Sequence, residues 1–229
     1  MGSAAVLRDS EVLSEVSGYE ETPYSMRLFR DIALLQDRAD FRLDQIDVFA
    51  VAAGPGSFTG LRVGLTAVKA WAEVHRKPIA AVSGLEAIAM ESLSGEFPRV
   101  SNARFIAPFL DARRGQVFGA IYRRTSENSM RLELASDESI LSPDEFLELV
   151  RKESPQAVQL VSPSPDVLPA TRLSEVLPDA RITTVSAALA PAIGRLGFER
   201  AKRGDLVDSI CLDANYVRRS DAESAWKDG

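Results

Sequence analysis

The spacing of apolar residues changes along the chain between the rhythm of strands and that of helices, which indicates an α/β protein. The first residues alternate weakly on both sides of a polar turn at residues 8–10, and this pattern predicts two short strands. Residues 24–39 have helical spacing, and Pro23 stands just before them, where a missing N–H costs nothing. Residues 47–53 are almost wholly apolar, as expected of a buried central strand.

The rest of the chain continues this alternation. A glycine-rich turn leads into a long helix over residues 57–75, and residues 95–102 are polar enough to mark a boundary. We expect two α/β subdomains of similar plan, residues 1–98 and residues 99–229, the second ending in a polar surface tail. The other predicted elements are a strand at 79–82, a helix at 86–93, a hairpin of strands at 105–110 and 116–123, a strand at 131–135, a helix at 143–150, a strand at 157–161 and a helix at 187–203.

The glycine-rich turn is the most informative segment. It is not a Walker A loop, because Leu61 and Arg62 stand where Lys and Ser or Thr are required. It is not a dinucleotide loop either, because Thr59 stands where the last glycine belongs. A phosphate site at the helix N-terminus and a tight turn in which Ser57 or Thr59 caps the helix both remain open. The candidate residues of the turn are Gly54, Gly56, Ser57, Thr59 and Gly60.

The two helices on either side of this turn carry unusually wide apolar stripes. The helix at 57–75 is apolar around more than half of its circumference, and the helix at 24–39 has a similar stripe. A helix of this kind lies in a core or in an interface. The pattern by itself leaves both explanations open, with the core as the commoner one.

Composition narrows the classes of function. The chain has 27 Lys and Arg against 33 Asp and Glu, a net charge of −6, so it lacks a bulk basic surface for nucleic acid, although a local patch is allowed. Cys211 is the single cysteine and His75 the single histidine, so an internal disulfide and a site that needs two histidines are excluded. No apolar run approaches the roughly 18 residues of a membrane span, and the amino end lacks a signal-peptide core. We therefore expect a cytoplasmic protein with neither a metal site nor a membrane partner.

Several segments resemble the TsaB (YeaZ) family, whose bacterial members take part in tRNA threonylcarbamoyladenosine biosynthesis. The strongest resemblance is at residues 53–64, AGPGSFTGLRVG, which is similar to the family signature. Residues 82–87 (VSGLEA), 111–118 (DARRGQVF) and 214–223, with its Asn-Tyr-Val-Arg and Ala-Glu, resemble further family segments.

The resemblance implies an actin-like, sugar-kinase-like (ASKHA, ribonuclease-H-like) fold of two related subdomains. It also implies a non-catalytic scaffold in the complex that transfers threonylcarbamoyl to adenosine 37 of tRNAs that read ANN codons. In that system the catalytic paralogue TsaD holds the metal and transfers the group, while the family member pairs with TsaD and recruits the ATPase TsaE. We accordingly expect no catalytic residue and no tightly bound cofactor here, with ATP and metal on the partner subunits and tRNA reached through the complex.

Partner contacts in the family use the two helices beside the glycine-rich turn, which pack against the equivalent pair of the partner. The resemblance therefore makes Phe29, Leu61, Leu65 and Val68 the candidate interface contacts. The same helices would serve a homodimer when the partner is absent. An ATP-dependent phosphotransferase or a glycoprotease-like hydrolase on the same fold is the alternative hypothesis.

The sequence departs from the family pattern near its start. Family members usually begin with an apolar strand in the middle of the first sheet, and this sequence begins, at Met1-Gly2-Ser3, just after that position. We expect the first sheet to lack this strand, which would leave backbone groups unpaired. In addition, Tyr24 stands where the family usually has histidine at the start of the first helix.

Overall fold

The structure is a computed structural model that describes residues 2–18, 23–93, 103–125, 131–154, 157–215 and 217. Strands and helices alternate through both halves of these residues. In the first half they are β1 (Gly2–Arg8), β2 (Glu11–Gly18), α1 (Tyr24–Ala39), β3 (Phe49–Gly54), α2 (Phe58–His75), β4 (Ile79–Ser83) and α3 (Gly84–Glu91). In the second half they are β5 (Phe105–Arg113), β6 (Gln116–Arg124), β7 (Leu132–Leu141), α4 (Pro143–Glu153), β8 (Val158–Ser162), α5 (Ala170–Val176), β9 (Arg181–Thr184) and α6 (Ala190–Arg203).

The second half forms one mixed five-stranded sheet in the order β7-β6-β5-β8-β9. β6 runs antiparallel to β5 and β7, whereas β8 is parallel to β5 and β9 is parallel to β8. Both faces of the sheet are covered: Ile106 and Ala120 belong to one apolar cluster with α3, and Phe109 and Ile121 belong to another with α4. This explains why β5 and β6 are apolar along most of their length.

The described part of the first half contains two pairs of strands, one antiparallel and one parallel, that are not hydrogen-bonded to each other. β1 and β2 form an antiparallel pair, β3 and β4 form a parallel pair, and within the described residues the two pairs are separate sheets. Helix α6 packs against both pairs. A Cβ added to Gly194 would lie 2.5 Å from Leu7 Cδ1, and one added to Gly197 would lie 2.6 Å from Ala50 Cβ. The two glycines therefore let a single helix lie close to both pairs and bridge them.

Two helices each pack against strands from the other half of the chain. Leu85 and Ile88 of α3 lie in one cluster with Ile106 of β5, and Leu196 of α6 belongs to the same cluster. Arg200 of α6 donates to the carbonyl oxygen of Ala81 and also, at 2.6 Å, to Glu86 Oε2. The boundary expected between residues 98 and 99 lies outside the described residues, and the division into 1–98 and 99–229 stays a prediction.

Three elements differ from the sequence prediction. The strand predicted at 131–135 is too short, because β7 continues to Leu141 by pairing with β6 through register shifts. α5 and β9 were missed: α5 has seven residues, and β9 is a four-residue strand whose side chains are exposed or half-buried. Of the described helices, none combines the length and the apolar character needed to cross a membrane.

The close approach of α6 to β3 is testable with Gly197→Ala. We expect this substitution to lower the free energy of unfolding by about 1–3 kcal/mol, because the new methyl group would overlap with Ala50. The measurement is urea unfolding followed by circular dichroism. Gly115→Asn is the control: Gly115 has φ +70° with nothing within 4 Å of an added Cβ, so a change within about 0.5 kcal/mol is expected. Equal effects of the two substitutions would contradict this account of α6.

Candidate partner interface and the glycine-rich turn

The glycine-rich turn is packed closely against two other segments. Gly54 ends β3 with φ +122°, and a Cβ there would collide with the backbone carbonyl oxygen of Asn215. A Cβ on Gly84, the first residue of α3, would lie 2.7 Å from the carbonyl oxygen of Pro55. Gly54 and Pro55 are buried, whereas Ser57 and Thr59 are exposed. The glycines at these two positions therefore serve close backbone packing.

Ser57, and not Thr59, caps helix α2. Its side chain accepts a hydrogen bond from the backbone N–H of Gly60 at 3.4 Å, and its carbonyl oxygen accepts from the N–H of Leu61 at 2.8 Å. The capped turn, one of the two explanations that the sequence left open, is therefore present, and a phosphate site at this helix N-terminus stays a prediction.

The predicted interface residues divide between the core and the surface. Leu61, Leu65 and Val68 are at most 9% exposed and pack in one cluster with Phe49, Val51 and Ile79 of the sheet below α2. Phe29 of α1 is 67% exposed. Three of the four candidates thus have side chains turned into the core, and Phe29 alone of the four faces outward.

Two apolar side chains lie beside Phe29. Met26 on the same helix is 73% exposed, and the half-buried Trp71 of α2 packs edge-on against Phe29 with ring centroids 6.3 Å apart. Phe58 is also exposed but lies at the other end of α2 from Trp71, where the guanidinium of Arg62 is 3.8 Å from its ring centroid. We call Met26, Phe29 and Trp71 the α1–α2 face. Exposed apolar side chains on neighbouring helices are typical of an interaction surface.

Two charged residues share the inner side of α1 with Leu28 and Leu35. Arg27 and Asp31 are buried, with Arg27 Nε 3.6 Å from Asp31 Oδ2, and Arg27 Nη2 donates to the carbonyl oxygen of Gly2 at 2.7 Å. Tyr24 donates to the carbonyl oxygen of Ser3, and burial, with Asp31 nearby, raises the pKa of its hydroxyl. A charged pair inside and Met and Phe outside reverse the usual amphipathic order. The sequence prediction missed Met26 because a periodic pattern assigns charged residues such as Arg27 and Asp31 to the surface, and here they are buried.

A second feature that the sequence analysis missed is a polar cluster around Glu138 of β7. Glu138 Oε1 accepts from the hydroxyl of Ser83 and, at 3.1 Å, from that of Tyr122, while its Oε2 accepts from Asn215 Nδ2 at 2.7 Å. Ser83 at the same time caps α3 by accepting from the N–H groups of Leu85 and Glu86. No periodic pattern marks Glu138 in the sequence.

The pKa of the Glu138 carboxyl is raised in the folded protein. Burial raises its pKa above the ordinary 4.5, and nearby Glu86 acts in the same direction, against the hydrogen bonds from Ser83 and Tyr122 and the positive charge of Arg200. Burial also raises the pKa of Tyr122, with Glu138 adding to the effect.

The environments of Asp111 and Cys211 favour structural roles for these two side chains. Asp111 accepts from the backbone N–H of Arg113 at 2.7 Å, so it binds its own turn. The hydrogen bond and the negative charge of Asp208 raise the pKa of Cys211, which does not favour a reactive thiolate. Across the described ranges, no three His, Cys, Asp or Glu side chains are grouped to hold a metal ion.

Comparison with known families identifies the chain. The family model described as "TsaD: tRNA N6-adenosine threonylcarbamoyltransferase" matches residues 23–190. The chain belongs to the TsaD family. The matched residues contain all of the α1–α2 face, the glycine-rich turn and Glu138, and this family has an actin-like α/β fold.

Individual relatives show how much of the chain each similarity covers. The chain is 29% identical over 226 residues to the tRNA threonylcarbamoyladenosine biosynthesis protein TsaB of Bacillus subtilis (strain 168), covering 97% of this chain and 91% of that protein. It is 49% identical over 63 residues to the tRNA N6-adenosine threonylcarbamoyltransferase of Methylorubrum extorquens (strain PA1), which is 28% of this chain and 18% of that protein. The resemblance to TsaB thus extends along nearly the whole chain.

Solved structures show the same fold. YeaZ from Pseudomonas aeruginosa superposes with a TM-score of 0.71 at 24% identity, covering 93% of both chains. A second structure, described as an uncharacterized protein with similarity to peptidase YEAZ from Pseudomonas aeruginosa, has a TM-score of 0.71 at 22% identity and covers 94% of both chains.

The raised pKa of Glu138 has a consequence for stability. Since the folded protein holds the proton more tightly than the unfolded chain, Glu138 contributes stability that is complete below pH 4.5. We expect this contribution to be lost as the pH rises through the raised pKa. The difference in free energy of unfolding between the wild type and Glu138→Gln, measured with urea at several pH values, should therefore decrease with increasing pH.

Glu145→Gln is a control of opposite sign. Hydrogen bonds from the backbone N–H and the hydroxyl of Ser142 lower the pKa of Glu145. Its contribution to stability is therefore present above pH 4.5 and is lost as the pH falls through the lowered value. Parallel pH profiles for wild type and Glu138→Gln would contradict the account of Glu138.

Proposed function

We propose that the chain is a non-catalytic scaffold subunit in tRNA threonylcarbamoyladenosine biosynthesis. In this role it pairs with a TsaD-like catalytic paralogue, recruits a TsaE-like ATPase, and reaches tRNA through the complex that modifies adenosine 37 of ANN-decoding tRNAs. The proposal places the protein in the cytoplasm and assigns ATP, metal and group transfer to the partner subunits. Its basis is the similarity to TsaB along nearly the whole chain.

The observation that supports pairing is the α1–α2 face. Met26 and Phe29 are largely exposed although their neighbours Leu28 and Leu35 fill the core below the same helix. Removing apolar surface from water favours association by about 25 cal/mol per Å². A partner that covers this face would bury two large side chains that the monomer leaves in solvent.

The chemistry of the face suits a helical partner. Phe29 and Trp71 join α1 to α2 through their edge-on contact, so the exposed apolar surface of Met26 and Phe29 adjoins α2. Such a surface takes the apolar side of other helices as in a helical bundle. A second copy of the chain offers the same surface, so a homodimer is the expected state when the catalytic paralogue is absent.

Phe29→Arg tests the interface without disturbing the core. We expect it to weaken binding to the TsaD-like paralogue of the same genome by about 30-fold or more, because a central aromatic contact is replaced by an unpaired charge. The measurement is co-expression followed by size-exclusion chromatography with light scattering, and then titration of the purified subunits. The wild type should form a stable 1:1 complex.

Leu134→Arg is the matched control. Leu134 is 50% exposed on β7, in the other half of the chain, so the same charge placed there should leave the complex intact. Leu65→Arg would be uninformative, because Leu65 is buried and the charge would unfold the core. Equal binding by Phe29→Arg and wild type would refute the placement of the interface, and absence of any complex with the wild type would refute the scaffold role.

The two remaining parts of the proposal have separate tests. Adding the TsaE-like ATPase to the 1:1 complex should give a larger assembly on the same column, and a failure to do so would contradict the recruiting role. Calorimetric titration of the isolated chain with ATP and Mg²⁺ should give no binding signal. Saturable binding would favour the alternative hypothesis of an ATP-dependent phosphotransferase.

A further inference from the structure

The segment after α6 packs against helix α2 at Leu212 and reaches the end of strand β3 at Asn215. Leu212 is 1% exposed and lies in the apolar cluster that contains Leu61 and Leu65. Asn215 donates its backbone N–H to the carbonyl oxygen of Ala53 at 2.7 Å, at the end of β3. We call residues 212–215 the strap.

Between these two points an open cavity of about 160 Å³ lies between the strap and α2, lined on the helix side by Arg62, Leu65, Thr66 and Lys69. Ala214 packs beside it against the apolar cluster that contains Leu61 and Leu65. The end of the strap at Asn215 lies directly against Gly54, next to the turn that starts α2.

Asn215 is held at this point by Glu138. The 2.7 Å hydrogen bond from Asn215 Nδ2 ends on Oε2, while Oε1 accepts from Ser83 and Tyr122. Tyr122 is 5% exposed and Ser83 caps α3, so both donors have fixed positions. The carboxylate is thereby oriented with one oxygen toward the core and the other toward the strap. Hydrogen bonds to a charged acceptor are among the stronger ones in proteins.

We propose that Glu138 is a latch that holds the strap, through Asn215, against the glycine-rich turn and thereby positions the first turn of helix α2. Release of the latch frees the carbonyl oxygen of Ala53 and uncovers Gly54, and the capped start of α2 at Ser57 loses its support. This role does not depend on the proposed function. It is a property of the isolated chain and is measured there.

Amide hydrogen exchange on the isolated full-length chain tests the latch. The informative amides are those of Asn215, which bonds to Ala53, and Leu61, which closes the first turn of α2. In Asn215→Ala and in Glu138→Ala we expect both amides to exchange about tenfold faster, because each change removes the hydrogen bond between the two side chains.

A double variant distinguishes the loss of this one hydrogen bond from a general destabilisation of the fold. Since each substitution removes the same hydrogen bond, the double variant should exchange no faster than either single variant. Multiplicative effects in the double variant would overturn the proposal. So would an equal acceleration at Ile106 in the central strand β5, since that pattern signals global unfolding.

One further variant serves as a matched control. Glu133→Ala removes a carboxylate on the same strand that pairs with Arg123 at the surface, and it should leave the exchange rate of the Asn215 amide unchanged. Wild-type exchange of Asn215 in Glu138→Ala would refute the latch, as would acceleration in Glu133→Ala equal to that in Glu138→Ala.

Discussion

The apolar contact between helices α3 and α6 and the two sets of strands is the constraint on which the molecule depends. Leu85 and Ile88 from the first half pack beneath the five-stranded sheet of the second half, and Leu196 from the second half joins the same cluster. Each half therefore completes its core with a helix from the other. The bonds from Arg200 to Ala81 and Glu86 satisfy polar groups at the edge of this shared core. The two halves are coupled by packing as well as by the chain.

This shared core accounts for the form of the glycine-rich turn. The turn joins β3 to α2 where the start of α3 and the strap both come close, and only glycine at positions 54 and 84 leaves room for their backbones. A turn packed in this way is part of the framework. It determines where α2 begins, and α2 together with α1 carries the exposed apolar face. The surface proposed for partner binding is thus positioned by the interior of the protein.

Helices α1 and α2 show which aspects of side-chain burial a sequence pattern predicts and which it does not. The wide apolar stripe of α2 was correctly recognised, but its best-looking candidates, Leu61, Leu65 and Val68, all lie in the core. On α1, Phe29 was predicted as a contact and is exposed, whereas exposed Met26 was missed because buried Arg27 and Asp31 occupy positions that a pattern assigns to the surface. A helix that is apolar nearly all round has no intrinsic outer face. The outer face is whichever side the sheet leaves uncovered.

The sequence by itself determined the α/β class, most of the helices and strands, the position of the glycine-rich turn and the resemblance to the TsaB family. These depend on residues close together in the chain, whose spacing, capping and backbone freedom act locally. Only the tertiary structure decided which apolar residues face solvent and that Glu138 joins two halves and the strap. Glu138 is hydrogen-bonded to Ser83, 55 residues away in the sequence, and to Asn215, 77 residues away. No local sequence pattern predicts such contacts, because they follow from the packing of whole elements around a common core.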